Sequence, residues 1–439
     1  MEKKLTTSDN LDLFYYPNRA THSFCLSLYM KAGCIYESEK DNGITHFLEH
    51  LIFRSINRQM DGKMYQILDK LGLYFNGATY KELIQLYIVG APEHFEEAAE
   101  ILLRVFNPLL LTKEDFKTEQ QRVKAEIREA EEFKSLDYFA GTFAWQSTPV
   151  KNTILGTKGN ISRFSAKRAE AYRSEILQGG NAFFYVTGNV TQEQMEFLRS
   201  RADGAGAGKN SGNTGICTSV TGSRSNRISL PPDFGCRPLT VHVKNSTYSL
   251  VQFSFDITEE DCLGAELNLL YDILFSGENG LIHQELSEKR GWIYSISSVL
   301  EKYSNGGRVY FTYEIDKKNL LPSVELVAKK LSSLNDEESF AERLQYVLPE
   351  YVDNAWMVYD DNEAFNWQRA YEGHIMQWLS GDIEETRRIY ERVTPSRLRD
   401  IAYQIFRLQN LVLSVKGKAS QIDTAAVREI LCNSGLSRN

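Results

Sequence analysis

The feature that most constrains the fold is the segment from Arg201 to Ser229, which is rich in Gly, Ser, Asn and Thr and nearly free of large apolar side chains. Such a composition predicts a flexible linker rather than part of a packed core. It divides the 439 residues into an N-terminal region (1–200), a linker (201–238) and a C-terminal region (239–439). Each flanking region is long enough to bury a core of its own.

The two flanking regions share a pattern of helix, glycine and strand. In the first, MYQILDKLGLYFNGATY (64–80) has a helical period that reaches a glycine and then an aromatic strand, and IHQELSEKRGWIYSISS (282–298) does the same in the second. Each region also ends on a β-rich run stopped by glycine. A duplicated domain explains this best. The alternative is two unrelated domains that share a common order of helix, glycine and strand. We predict an α+β fold of two homologous α/β sandwich domains, each a mainly antiparallel sheet with helices on one face.

Composition excludes several classes of protein. The 50 basic and 58 acidic side chains give a formal charge of −8, which argues against nucleic-acid binding because phosphate recognition needs a basic surface. No window holds the roughly 18 to 20 apolar residues of a membrane span, and no signal peptide follows the first lysines. Six cysteines without close pairing indicate reduced thiols, so we predict a cytoplasmic protein.

The most informative motif is H-x-x-E-H in NGITHFLEHLIFRS, which contains His46, Glu49 and His50. Apolar residues at helical spacing predict a core-facing stripe, formed by Ile44, Phe47, Leu48, Leu51 and Ile52. The two histidines and the glutamate then share a narrow arc on the opposite side. Imidazoles one turn apart can chelate one cation, and the carboxylate can reach a water beside it. The alternative is a solvated polar face that happens to carry two histidines.

A hydrolytic zinc site needs a third protein ligand. The helix predicted for TKEDFKTEQQRVKAEIREAEEF offers Glu119 and Glu126, two turns apart on one face, after a capping box of Thr112 and Asp115. One glutamate could ligate while the other supports it. Spacing alone does not choose between them, and acidic residues on an exposed helix are usually only solvated.

These motifs together resemble the pitrilysin/insulinase family of zinc peptidases, in which an inverted H-x-x-E-H is followed by E-x6-E. FNGATYKE, NPLL and ELSEKRGWIYS are similar to the family as well, so the resemblance covers nearly the whole chain. It implies that His46, His50 and Glu126 bind Zn²⁺, that Glu49 is the general base, and that Glu119 supports the site.

The resemblance also implies a substrate-binding strand at Asn76, Gly77, Ala78 and Thr79, which would pair with an extended peptide. Gly77 stands where the family has alanine. The resemblance implies a second pair, Arg-x6-Tyr, which helps to hold the substrate, and Tyr294 or its counterpart on a partner chain would stabilise the oxyanion. The pair is broken here, because Ser287 occupies the arginine position, and serine lacks the charge and donors of a guanidinium. Arg290 matches a different arginine of the family pattern.

In heterodimeric members of the family, one chain supplies zinc and a homologous chain supplies the Arg/Tyr pair. The sequence therefore resembles the zinc-bearing subunit of a heterodimer; a homodimer that tolerates Ser287 and a degenerating enzyme are the alternatives. The implied function is a zinc-dependent endopeptidase that cleaves small or unfolded peptides in a closed chamber. It would serve either maturation of one ribosomally made peptide, such as a bacteriocin precursor, or general turnover. The rival is a noncatalytic assembly or peptide-binding subunit.

Overall fold

The computed structural model describes residues 1–145, 149–178, 180–204, 239–258, 264–304, 306–334, 337–380 and 382–437. The predicted linker falls almost wholly outside these ranges, although residues 201 and 202 still belong to a helix. The described residues form two compact units. One contains residues 1–132, 149–178, 180–204 and 357–375, and the other contains the rest.

The strands are β1 (Lys3–Thr6), β2 (Asp12–Pro17), β3 (Phe24–Met30), β4 (Tyr74–Thr79), β5 (Ile84–Gly90), β6 (Ala182–Gly188), β7 (Thr240–Asn245), β8 (Leu250–Thr258), β9 (Ile296–Tyr303), β10 (Gly306–Glu314) and β11 (Leu411–Gly417). The α-helices are α1 (Ile44–Gln59), α2 (Met64–Leu71), α3 (Phe95–Leu102), α4 (Lys113–Ala130), α5 (Leu136–Ala144), α6 (Lys158–Arg163), α7 (Ala166–Ile176), α8 (Gln192–Ala202), α9 (Ala265–Phe275), α10 (Leu281–His283), α11 (Leu320–Ser332), α12 (Glu337–Asp360), α13 (Asn362–Trp367), α14 (Ile383–Glu391), α15 (Pro395–Ile405) and α16 (Thr424–Cys432). None of these helices is both long and apolar enough to cross a membrane.

The sheet of the first unit has the strand order β1-β2-β6-β3-β5-β4. β2 and β6 are parallel, and the other neighbours are antiparallel. β4 therefore lies at an edge, where part of its backbone has no neighbouring strand among the described residues.

The sheet of the second unit has the order β7-β11-β8-β10-β9. Its one parallel pair is β7 with β11, and the other pairs are antiparallel. Strand for strand, this arrangement repeats the first sheet without β1. The predicted fold of two mainly antiparallel α/β sandwich domains is confirmed, and the common strand order supports the duplication.

In the first unit, both faces of the sheet are covered. Leu26 and Leu28 of β3 pack in the main core with residues of α1, whereas Tyr29 lies in a second cluster with Tyr185. The second face is covered by α13 and the π-helical turn after it. There, Asn366 accepts a hydrogen bond from the Tyr29 hydroxyl at 2.8 Å and donates to the Tyr185 carbonyl at 2.9 Å. This segment comes from the C-terminal half of the chain, and the prediction of helices on one face did not include it.

The second unit contains α5, which comes from the N-terminal half. Asp137 of α5 forms an ion pair with Arg308 of β10. The Arg308 guanidinium is 1% exposed and lies 4.8 Å from the Trp145 ring centre and 4.6 Å from that of Tyr310. A buried cation needs such compensation, so this contact helps to hold α5 on the second sheet.

Candidate metal centre

The H-x-x-E-H motif lies in the first half of α1. The preceding residue, Gly43, has a φ of 96°, and a Cβ at this position would lie 2.8 Å from the Leu155 carbonyl oxygen, so glycine is required. Gly43 has no side chain to cap the helix. The buried Glu37 carboxylate does so instead, accepting the backbone N–H groups of Gly43 at 2.7 Å and Thr45 at 2.9 Å.

The apolar stripe of α1 packs in the core as predicted. Its members are at most 1% exposed: Ile44, Phe47, Leu48, Leu51 and Ile52. Burying this face leaves His46 and His50 facing α4 and Glu49 beside Thr79 of β4. The predicted capping box of α4 is present, because Thr112 and Asp115 bond each other's backbone N–H.

Side chains from α1 and α4 meet in one group. Ligand atoms of His46, His50 and Glu126 lie within 4.8 Å of one another. The Nε2 atoms of both histidines are 3.5 Å from the Glu126 carboxylate, one facing each oxygen. The structure therefore brings together the three residues that the resemblance implied as ligands.

Glu119 lies behind this group. It is 1% exposed, and its Oε2 is 3.3 Å from Nδ1 of His50. If Nδ1 carries the proton and donates to Glu119, Nε2 keeps its lone pair toward Glu126. Burial would raise the pKa of Glu119, but hydrogen bonds from His50 and Arg54 and the charge of Arg122 outweigh it, so the pKa is below its ordinary value. The Glu119 carboxylate is thus held ionised.

The donor set fits zinc. Two imidazoles and one carboxylate on neighbouring helices are a ligand set of catalytic zinc, which leaves a fourth position for water or substrate. Without a cation, burial and the neighbouring His50 lower the pKa of His46, which favours the neutral imidazole that a metal requires. Nδ1 of His46 is buried and has no hydrogen-bond partner among the described residues, so Glu119 orients only one of the two histidines.

Glu49 has a different partner from the histidines. Its carboxylate accepts a hydrogen bond from the Thr79 hydroxyl at 2.5 Å. Burial raises the pKa of Glu49, and the Thr79 hydrogen bond and the His50 charge only partly oppose this. A carboxylate with a raised pKa is suited to accept and return a proton near neutral pH.

The predicted substrate strand is β4, whose edge position leaves backbone groups available for pairing. Gly77 has a steric reason to be glycine: a Cβ there would lie 2.8 Å from a Phe53 ring carbon and 2.9 Å from a Leu86 methyl. The glycine therefore allows β4 to approach α1 closely, which seats Thr79 beside Glu49. Asn76 donates from its side chain to the Tyr74 hydroxyl at 2.8 Å.

Tyr294 belongs to the second unit and is 95% exposed. Ser287 lies in the π-helical turn Gln284–Glu288. Arg290 does not replace the missing arginine, because its Nη1 donates to both the carboxylate and the carbonyl of Glu285 at 2.9 Å. The role of Tyr294 stays a prediction from the resemblance.

Three contacts at this site were missed by the sequence analysis. Arg54 donates to Glu119, Glu37 caps α1, and Thr79 bonds Glu49 in addition to its predicted place in the strand. Arg54 lies one turn beyond His50, so helical spacing could have identified it. The contacts of Glu37 and Thr79 have no local signal, because they depend on how a loop and a strand fold back onto α1.

Comparisons with known proteins agree with this geometry. Residues 14–158 match the family described as "Insulinase (Peptidase family M16)", and residues 163–345 match "Peptidase M16 inactive domain". An uncharacterized zinc protease of Rickettsia felis is 23% identical over 346 residues, which cover 77% of this chain and 80% of that protein. The beta subunit of human mitochondrial-processing peptidase is 27% identical over 173 residues, 39% of this chain and 35% of that protein.

Solved structures show the same fold. A protease from Helicobacter pylori has a TM-score of 0.80 at 16% identity, covering 95% of this chain and 99% of its own. An M16 inactive domain from Pseudomonas fluorescens has a TM-score of 0.78 at 13% identity, covering 95% and 98%. Two successive family matches account for most of the sequence, and the fold and the zinc-type donor set agree with them. The chain belongs to the insulinase family of peptidases, M16.

Proposed function

We propose that this chain is the zinc-bearing subunit of a dimeric endopeptidase that hydrolyses small or unfolded peptides. The observation that carries the proposal is the group of His46, His50 and Glu126, whose ligand atoms lie within 4.8 Å of one another, with Glu49 on the same helix. A noncatalytic binding subunit has no need for this donor set or for a carboxylate with a raised pKa beside it.

The residues divide the chemistry as follows. His46, His50 and Glu126 would hold the zinc ion, which when bound supplies Lewis-acid chemistry that lowers the pKa of water and polarises a carbonyl. Glu49 accepts a proton from the attacking water and returns it to the nitrogen of the leaving amine. Thr79 orients the Glu49 carboxylate through its hydroxyl, and the free edge of β4 binds the peptide in extended form.

A homologous partner is part of the proposal. The arginine of the family's Arg/Tyr pair is absent, Arg290 is committed to Glu285, and the human relative is named as a subunit. A partner chain with an intact pair would supply the missing guanidinium. The substrate would be a single peptide that requires maturation, such as a bacteriocin precursor, or a range of peptides in general turnover.

The test is peptide cleavage by the zinc-loaded chain, followed by mass spectrometry on a mixed set of unstructured peptides. We expect Glu49→Gln to reduce kcat/KM by about 100-fold or more while zinc remains bound. The matched control is Glu129→Gln, because Glu129 is an exposed residue of α4 that should not affect turnover. Cleavage that persists in Glu49→Gln would contradict the role of the base.

Ser287→Arg separates an incomplete enzyme from a noncatalytic subunit. If the wild-type chain binds zinc stoichiometrically but is inactive, restoring the arginine should produce cleavage, as should addition of a homologous partner. A chain that binds no zinc, or that stays inactive with zinc, with Ser287→Arg and with a partner present, would establish the noncatalytic alternative.

A further inference from the structure

A cavity of about 370 Å³ opens beside Glu49 and His50 in the first unit. Its apolar wall is formed by Phe53 and Phe75, whose ring centres are 4.6 Å apart, with Tyr65 nearby. Its volume falls within the range of pockets that bind small groups. Because the cavity adjoins the proposed base, the peptide side chain that fills it lies close to the bond being cleaved.

Besides Glu49 and His50, the charged groups that line this cavity are the guanidinium groups of Arg54 and Arg122 and the buried carboxylate of Glu119. Arg54 donates to Glu119 from Nε at 2.8 Å and from Nη2 at 2.5 Å. Arg122 approaches the same carboxylate with Nη1 alone, at 3.4 and 3.5 Å. Arg54 therefore makes the closer contact with Glu119, and Arg122 keeps donors that can bind a ligand at the cavity.

Arg122 is also sterically available. Its side chain is 63% exposed, and its Nε and Nη2 make no hydrogen bond to any described residue. A guanidinium cannot lose its charge at physiological pH and presents a planar set of donors that matches a carboxylate. The aromatic side chains that line the same cavity suit an aliphatic stem better than a second charge.

We propose that Arg122 makes this site selective for peptides with an acidic side chain, above all glutamate, next to the scissile bond. The stem of the glutamate would pack on Phe53 and Phe75 while its carboxylate binds the free donors of Arg122. This inference rests on the proposed peptidase function and names its substrate class.

The experiment uses peptide pairs that differ only in Glu against Gln, placed in turn at each position around the cleaved bond. We expect wild-type kcat/KM to favour Glu about tenfold at one position, with a preference that weakens as salt concentration rises. Arg122→Gln should reduce this ratio to about one, and Arg122→Glu should invert it, so that the Gln peptide is favoured. Arg128→Gln is the matched control, because Arg128 is 65% exposed on the same helix. The ratio of kcat/KM for the Glu and Gln peptides should be the same in this variant as in the wild type.

Binding provides a readout that does not depend on turnover. The zinc-loaded Glu49→Gln variant, with and without Arg122→Gln, is titrated with the same peptide pairs carrying a fluorescent label. Tighter binding of the Glu peptide that disappears with Arg122→Gln supports the inference, even if no peptide is cleaved and the proposed function fails. Equal ratios with and without Arg122, in cleavage or in binding, overturn the inference while leaving the peptidase proposal intact.

Discussion

At the scale of single residues, the buried Glu37 carboxylate sets where the motif helix begins. Besides two backbone N–H groups, it accepts the Thr45 hydroxyl at 2.6 Å and the Asn42 amide at 3.0 Å. Burial raises the pKa of Glu37, and these hydrogen bonds oppose the increase. Every acceptor of this carboxylate faces a donor, so an amide in its place would turn an NH₂ group toward N–H groups.

We therefore expect Glu37→Gln to lower the free energy of unfolding by about 2 kcal/mol, since it leaves buried donors unpaired. It should also weaken zinc binding, because His46 and His50 depend on the position of α1. Denaturant unfolding and competition with a chelator measure the two effects. Glu39→Gln is the control, because the Glu39 side chain is 80% exposed. Equal stability of the two variants would show that the cap contributes nothing.

The sequence predicts which residues carry the chemistry better than it predicts which residues contact them. Helical spacing and the family resemblance together indicated the histidines and glutamates that the structure brings together. They gave no sign of Arg122 at the cavity or of Glu37 under α1. The Glu37 cap depends on how a loop folds back onto α1, and the place of Arg122 at the cavity depends on how α4 packs beside α1. Neither periodicity nor motif spacing contains this packing.

At the scale of elements, local sequence patterns located the centres of helices and strands more accurately than their ends. The alternation of large apolar residues over 24–30 predicts a strand, and the structure has β3 at Phe24–Met30. The helix predicted for 112–133 stops at Ala130, because Glu131 adopts a left-handed φ of 47°. The sequence pattern also predicts a helix over 92–106, but the structure is α-helical there only over Phe95–Leu102, with 3-10 turns on both sides. Helix ends depend on individual caps and tertiary contacts, which a periodic pattern does not record.

An ion pair helps to hold the helix α5 on the second sheet, beside the stacking of Phe143 on His242 of β7. Asp137→Asn would leave the buried Arg308 with Glu301 at 3.5 Å as its remaining carboxylate. Because Asp137 is itself 33% exposed, we expect a loss of about 2 kcal/mol, less than for a fully buried pair. Hydrogen exchange should accelerate in Leu136–Ala144 but not in β3. The control is Asp353→Asn, at an exposed residue of the second unit, which should change neither the stability nor the hydrogen exchange of α5. Unchanged exchange in α5 with Asp137→Asn would contradict the role of the ion pair.

At the scale of the whole molecule, each half of the sequence supplies part of the other half's unit. Residues 133–145 belong to the second unit and residues 357–375 to the first. Composition and the repeated pattern of helix, glycine and strand located the linker between the two regions. They could not reveal this exchange, because both exchanged segments have ordinary helical sequences. A contiguous division at 201–238 therefore omits a covering segment from each domain.

This exchange predicts how the chain behaves when it is cut. Fragments 1–204 and 239–439, expressed together, should copurify, because residues 357–375 cover the aromatic cluster of Tyr29 and Tyr185 and residues 133–145 contribute Asp137 to Arg308. Each fragment alone exposes a sheet face or a buried cation, so we expect it to aggregate or to lose hydrogen-exchange protection. Affinity pull-down, size exclusion and zinc content of the pair measure this. Combining Asp137→Asn with Asn366→Ala should weaken the pairing. A fragment 1–204 that folds alone with full protection and does not bind 239–439 would contradict the exchange.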